Sequence, residues 1–168
     1  VVNGLTENNG KLTWSRLKKY SNNMKITLVT VGKTQDKDVA ALIADYSSRI
    51  NRYCTFESID TTNEKLAERL EKFDRVFLLD EHGREYRSIE FADFIGKQMN
   101  SGVKNIAFVV GGPFGFTDII RAMATPAKGG GQMALSKMTF PHDLIRAIFT
   151  EQLYRAFSIL KNEKYHHE

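Results

Sequence analysis

One cysteine, three prolines and no long apolar run set the first bounds on this sequence of 168 residues. With only Cys54 available, an internal disulfide is excluded; the count fits a reducing cytoplasm, and Cys54 is expected as a buried spectator. No stretch approaches the roughly 20 apolar residues of a membrane helix, and residues 1–23 are too polar for a secretion signal. Nucleotide signatures are missing as well. Gly32 stands alone after the first strand-like run, without dinucleotide-fingerprint spacing, and no phosphate-loop G-x-x-x-x-G-K-[ST] occurs. The histidines are His82, His142, His166 and His167; with one cysteine and no H-E-x-x-H they form no zinc pattern, so no metal is expected. No G-x-S-x-G surrounds Ser136, and nothing signals a nucleophile triad.

Acidic residues are outnumbered, 20 against 24 Lys and Arg, for a net charge of +4. The excess is uneven. Lys11, Arg16, Lys18 and Lys19 against Glu7 put +3 into residues 1–23 and leave +1 for the rest. Bulk charge therefore does not establish nucleic-acid binding; a basic surface has to come from clustering. Met24 directly precedes a strand-like run and reads as a natural start. Residues 1–23 are accordingly expected to be an extension outside the fold, and 24–168 a single domain.

What is present centres on residues 104–116, KNIAFVVGGPFGF. Ile106 to Val110 is a short, β-branched run suited to a strand buried on both faces. It breaks into Gly111-Gly112-Pro113-Phe114-Gly115, and Thr117-Asp118 can cap a following short helix. Strand, glycine turn and helix start bring backbone N–H groups against a ligand. Strands are also expected at 25–32, 55–60, 75–80 and 133–136, and helices at 36–53, 63–73, 88–100 and 142–161. The last helix is apolar around so much of its circumference that it is expected to need two partners, the sheet and another subunit. Alternating strands and helices imply a parallel-sheet α/β/α sandwich, with ligands at the carboxyl ends of the strands. Residues 79–84, 111–115 and 135–142 converge there.

Residues 24–168 resemble the ribosomal RNA large subunit methyltransferase H family, small SPOUT (trefoil-knotted) methyltransferases. The resemblance rests on MKITLVTVGK from Met24, LLDEHG at 78–83, VVGGPFG at 109–115 and LSKMTFPHDLIR at 135–146. EQLYRAFSI at 151–159 and the terminal YHHE complete it. It implies a C-terminal trefoil knot, a cytoplasmic homodimer, and methyl transfer from S-adenosylmethionine to N3 of the pseudouridine at position 1915 of 23S rRNA. By motif, the methyl donor is expected on Leu79, Gly111, Gly112 and the run Leu135, Ser136, Lys137, Met138, Thr139, Phe140. Two readings stand beside this one: a noncatalytic RNA- or ribosome-binding protein of the same fold, and a methyltransferase of another RNA such as tRNA.

The implied chemistry needs a methyl group in line with N3 and removal of the N3 proton. His166, in the matched tail, is the candidate base. Tyr165 is expected to place it, and Arg155 to grip phosphate or stabilise the anionic base. Arg146 is a second arginine candidate, and His142 a structural residue or a wall of the donor site.

Overall fold

Each β-branched run becomes a strand and each amphipathic stretch a helix. The structure is a computed structural model that describes residues 13–21 and 23–167. Its order is α1 (Trp14–Ser21), β1 (Lys25–Val31), α2 (Lys37–Ile50), β2 (Thr55–Thr61), α3 (Asn63–Leu70) and β3 (Arg75–Glu85). There follow α4 (Ser88–Asn100), β4 (Asn105–Val110), α5 (Asp118–Met123), a 3-10 turn (Pro126–Lys128), β5 (Gly131–Ala134) and α6 (His142–Leu160).

The five strands lie in the order β2-β1-β4-β3-β5, and every pairing is parallel. All carboxyl ends therefore share one edge. Central β1 and β4 are buried nearly end to end because helices cover both faces. On one face Ile26, Leu28, Phe77, Ile106 and Phe108 pack with Ile50, Ile95, Phe149 and Phe157 of α2, α4 and α6. On the other, Val29, Leu78, Ala107 and Val109 meet Leu66 and Leu70 of α3 and Ile120 of α5.

Asp36 caps α2 by accepting from the N–H groups of Asp38 and Val39, at 2.8 and 3.0 Å. Thr117 caps α5, accepting from Ile120 N–H. Arg87 holds the cap position of α4, and Ser88, its first helical residue, donates from Oγ to Gln152 of α6 at 2.9 Å.

Three findings depart from the sequence reading. Strand β3 does not end at Asp80: it leaves β5 after Leu79, bulges, and pairs with it again at Arg84 and Glu85. Gly83 makes this possible, since a Cβ there would lie 2.5 Å from the backbone nitrogen of Met133. Second, α6 has partners within the chain beyond the sheet, namely α2 and α4. It is packed between the sheet, α2 and α4, and Leu144 is its one exposed large apolar residue. Third, part of the expected extension belongs to the fold. Leu17 of α1 is fully buried, and Trp14 meets the rings of Tyr53 and Phe157 edge-on at 5.6 and 6.4 Å. Two residues seat this polar eight-residue helix, because Leu17 belongs to the core cluster and Trp14 packs against it. Residues 1–12 lie outside the described part.

Candidate active site

At the carboxyl edge, the ends of β3, β4 and β5 enclose a cleft of about 300 Å³. That is a small-ligand volume. Its walls combine the glycine turn after β4 with the loop leading from β5 into α6. Leu79, Gly111, Gly112, Leu135, Ser136, Met138, Thr139 and Phe140 all line it. Lys137, expected beside them, does not: its side chain points to solvent and pairs loosely with Glu85 at 3.7 Å. Ser136 Oγ accepts from Met138 N–H at 3.0 Å, which turns the loop across the opening.

The bulge of β3 supplies residues that motif reading passed over. Asp80 accepts from the backbone N–H of His82 and from Arg121 of α5, both at 2.9 Å, and Arg121 also donates to Gln132 of β5 at 2.8 Å. Burial alone would raise the Asp80 pKa; the donors from His82 and Arg121 outweigh it and hold the carboxylate below its usual range. Glu81 accepts from Thr139 Oγ1 across the cleft at 2.5 Å. His142, at the start of α6, lines the cleft.

Gly112 faces two ways. Its backbone lines the cleft, yet a Cβ would point at Val31 Cγ1, 3.3 Å away. A side chain here would press first on β1 rather than enter the ligand space.

Arg146 is not available for phosphate. It is buried and donates to Val31 O at 3.0 Å and to Thr34 Oγ1 at 3.1 Å. Asp143 accepts from the N–H groups of Gln35 and Asp36 at 2.8 and 2.9 Å. The first turn of α6 thus clamps the loop after β1.

His166, Arg155 and Tyr165 form one cluster. Glu151, four residues before Arg155 on α6, organises it: Oε1 accepts from Arg155 Nε at 3.0 Å and from Tyr165 O–H at 3.0 Å. Hydrogen bonding to Glu151 raises the Arg155 pKa against the opposing effect of burial. Burial, followed by the Tyr46 and Glu151 contacts, raises that of Tyr165, so its phenol remains a neutral donor. Tyr165 also packs edge-on against Tyr154 at 4.6 Å. Arg155 Nη1 lies 3.2 Å from His166 Nδ1. Arginine only donates, so Nδ1 is the accepting nitrogen in this contact. The Glu151–Arg155 spacing was visible in the sequence as a helical i,i+4 pair; the tail folding back onto it was not.

No residue of this cluster lines the cleft. Ile145, the cleft residue of α6 nearest to Arg155, is ten residues before it, about 15 Å at 1.5 Å per residue. Within one chain, the cleft and the candidate catalytic group are separate. Among the described residues no cluster of His, Cys, Asp and Glu could hold a metal, and no helix is long and apolar enough to cross a membrane.

Fold and cleft together define a parallel α/β protein with a cleft of small-ligand size at its strand ends. A family profile described as "Predicted SPOUT methyltransferase" matches residues 24–166. The chain is 42% identical over 161 residues to Ribosomal RNA large subunit methyltransferase H of Christiangramia forsetii, covering 86% of this chain and 99% of that protein. The protein of the same name from Bacteroides thetaiotaomicron is 41% identical over 162 residues, covering 86% and 100%. One solved structure, of "an hypothetical protein", overlays with a TM-score of 0.45 at 13% identity across 85% of this chain and 67% of that one, too distant to inform the fold. The chain belongs to the SPOUT methyltransferase family; it is a methyltransferase.

Proposed function

We propose that this enzyme transfers the methyl group of S-adenosylmethionine to N3 of a pseudouridine in 23S rRNA, the base at position 1915 that the resemblance implies. Relatives at about 40% identity carry the name of a large-subunit rRNA methyltransferase. In this reading the enzyme works as a cytoplasmic homodimer and its C-terminal segment is knotted as the family resemblance implies.

The observation that carries the dimer is the separation of cleft and tail along α6. A general base must come within hydrogen-bond reach of the proton it takes, and Arg155, which contacts His166, lies about 15 Å along α6 from Ile145, the nearest cleft residue on that helix. A second subunit resolves this by laying its tail over the first subunit's cleft.

The cleft suits the donor chemically. Backbone groups of the glycine turn and of residues 135–140 can meet the adenine edge, while Leu79, Leu135, Phe140 and Ile145 supply apolar walls for ring and thioether. S-adenosylmethionine supplies a methyl carbon made electrophilic by its sulfonium. Tyr165 places His166 against the nucleobase; as N3 loses its proton to His166, its electron pair forms the new N–C bond and the C–S pair returns to sulfur. His166 Nδ1 is engaged by Arg155 in the free chain. An RNA phosphate that draws Arg155 away frees that lone pair for the proton.

The test mixes two variants: Ser136→Trp, which fills the cleft, and a chain ending at Lys164, which lacks the tail. Each alone is expected to be inactive on ribosomes lacking the modification. Mixed dimers regain methylation of 23S rRNA, because one good cleft meets one good tail. No recovery, with mixed dimers formed, contradicts the shared site; transfer to tRNA instead contradicts the substrate.

A further inference from the structure

Helix α1 precedes the part of the chain that the family profile matches, which begins at residue 24. The reaction proposed above makes no use of it. Yet it is firmly seated, by Leu17 in the core and by Trp14 against Tyr53 and Phe157. Its sequence, WSRLKKYS, contains three cations and no acid. Arg16, Lys18 and Lys19 are all exposed.

The position of this charge matters more than its amount. From Trp14 a line of ring contacts runs to the tail: Trp14 to Tyr53 at 5.6 Å, Tyr53 to Tyr154 at 6.2 Å, Tyr154 to Tyr165 at 4.6 Å. Tyr53 O–H also donates to Glu163 of the tail at 2.5 Å. Arg52, exposed, is close enough to Glu163 to help keep it ionised, after the larger effects of Tyr53 and Lys161. Glu163 is thus held by Tyr53, Lys161 and Arg52, and Lys164 next to it is an exposed cation. Arg52 and Lys164, both exposed, are sequence neighbours of Tyr53 and Tyr165 in this line of rings, which joins α1 to the cluster that holds Arg155 and His166.

We propose that α1 is an added RNA-docking element, whose Arg16, Lys18 and Lys19 grip phosphates of the rRNA strand that the neighbouring tail engages. This rests on the reading of the substrate as RNA. A seated helix suits the task, because cations fixed on a rigid support bind a polyanion without first paying to order a loop. Such contacts carry no sequence information; they add affinity and set orientation. The competing role for Lys18 and Lys19 is local, since cations in a last turn favour the helix dipole.

Salt separates the two roles. In the full chain, Arg16→Gln/Lys18→Gln/Lys19→Gln removes the charges and retains Trp14 and Leu17. Binding to large ribosomal subunits is measured from low to moderate salt. Loss of three phosphate contacts flattens the slope of log affinity against log salt by about 2 to 3. The accompanying loss of turnover falls on KM for ribosomes, and calorimetric affinity for S-adenosylmethionine stays at the wild-type value. Lys18→Arg/Lys19→Arg, which retains the charge, keeps the wild-type slope. An unchanged slope in the glutamine variant overturns the proposal, and a lower melting temperature with that slope assigns the cations to the helix alone. Wild-type methylation of 23S rRNA is assayed in parallel: its absence defeats the proposed function, whereas an altered slope without it still places phosphate contacts on α1.

Discussion

Asp80 and Arg121 form an ion pair at the rim of the cleft, Oδ2 to Nη2 at 2.9 Å, with the Asp80 side chain only 9% exposed. The pair ties the bulge of β3 to α5, and through Gln132 to β5. Three segments distant in sequence are thereby held as one wall.

Asp80→Asn is expected to lower stability by about 1–3 kcal/mol, the cost of weakening charge-assisted bonds and leaving Arg121 underpaired. The effect has a definite pH dependence. Because the folded-state pKa of Asp80 is depressed, its contribution is present above the ordinary aspartate value and is lost as pH falls through the lower folded value. Thermal melts of wild type and variant should differ by a constant amount near neutrality and converge in acid. A gap that widens on acidification would refute the pairing.

Gly83→Ala and Gly102→Ala test where glycine is required by neighbours and where only by backbone. A Cβ at Gly83 would strike the β5 backbone at Gln132 and Met133, whereas Gly102, at φ +77°, has nothing within 4 Å. Gly102→Ala should cost about 1 kcal/mol, from strain in the left-handed conformation. Gly83→Ala should cost more, and because β5 leads into the donor loop it should weaken donor binding too. Melting temperature and calorimetric donor affinity, measured on both variants, check the order.

Lys137→Ala should leave donor affinity within about twofold of wild type, since an exposed pair such as Lys137 and Glu85 contributes little. Phe140→Ala, which strips an apolar wall from the cleft, should weaken donor binding by at least tenfold, equivalent to about 1.4 kcal/mol. Equal effects in the two variants would contradict the assigned lining.

Cys54 is expected to be inert in the native protein. Burial pushes its thiol up to about 12 and hides it from reagents. A colorimetric thiol reagent should titrate one sulfhydryl in denaturant and none under native conditions; rapid native labelling would show that this part of the core opens.

Much of this protein is local and therefore legible along the chain. β-branched runs bounded by glycine and capping residues become strands and helix starts, because periodicity and end chemistry are properties of neighbouring residues. Eight of the nine donor residues expected by motif line one cleft because they sit at strand ends, where a parallel sheet gathers its loops. Lys137 departs because its neighbours point inward while the loop turns its side chain out.

Tertiary structure alone decided the rest. Arg146 looks like any basic residue on a helix until the loop after β1 arrives from more than a hundred residues away and buries it. Glu151 becomes the organiser of Tyr165 only when the tail folds back onto α6. The fit of α6 between α2 and α4 was equally hidden, since an apolar circumference says that partners are needed and not which chain provides them. Sequence spacing records what a residue can offer; which partner accepts it depends on distances that the fold sets only after the backbone is in place.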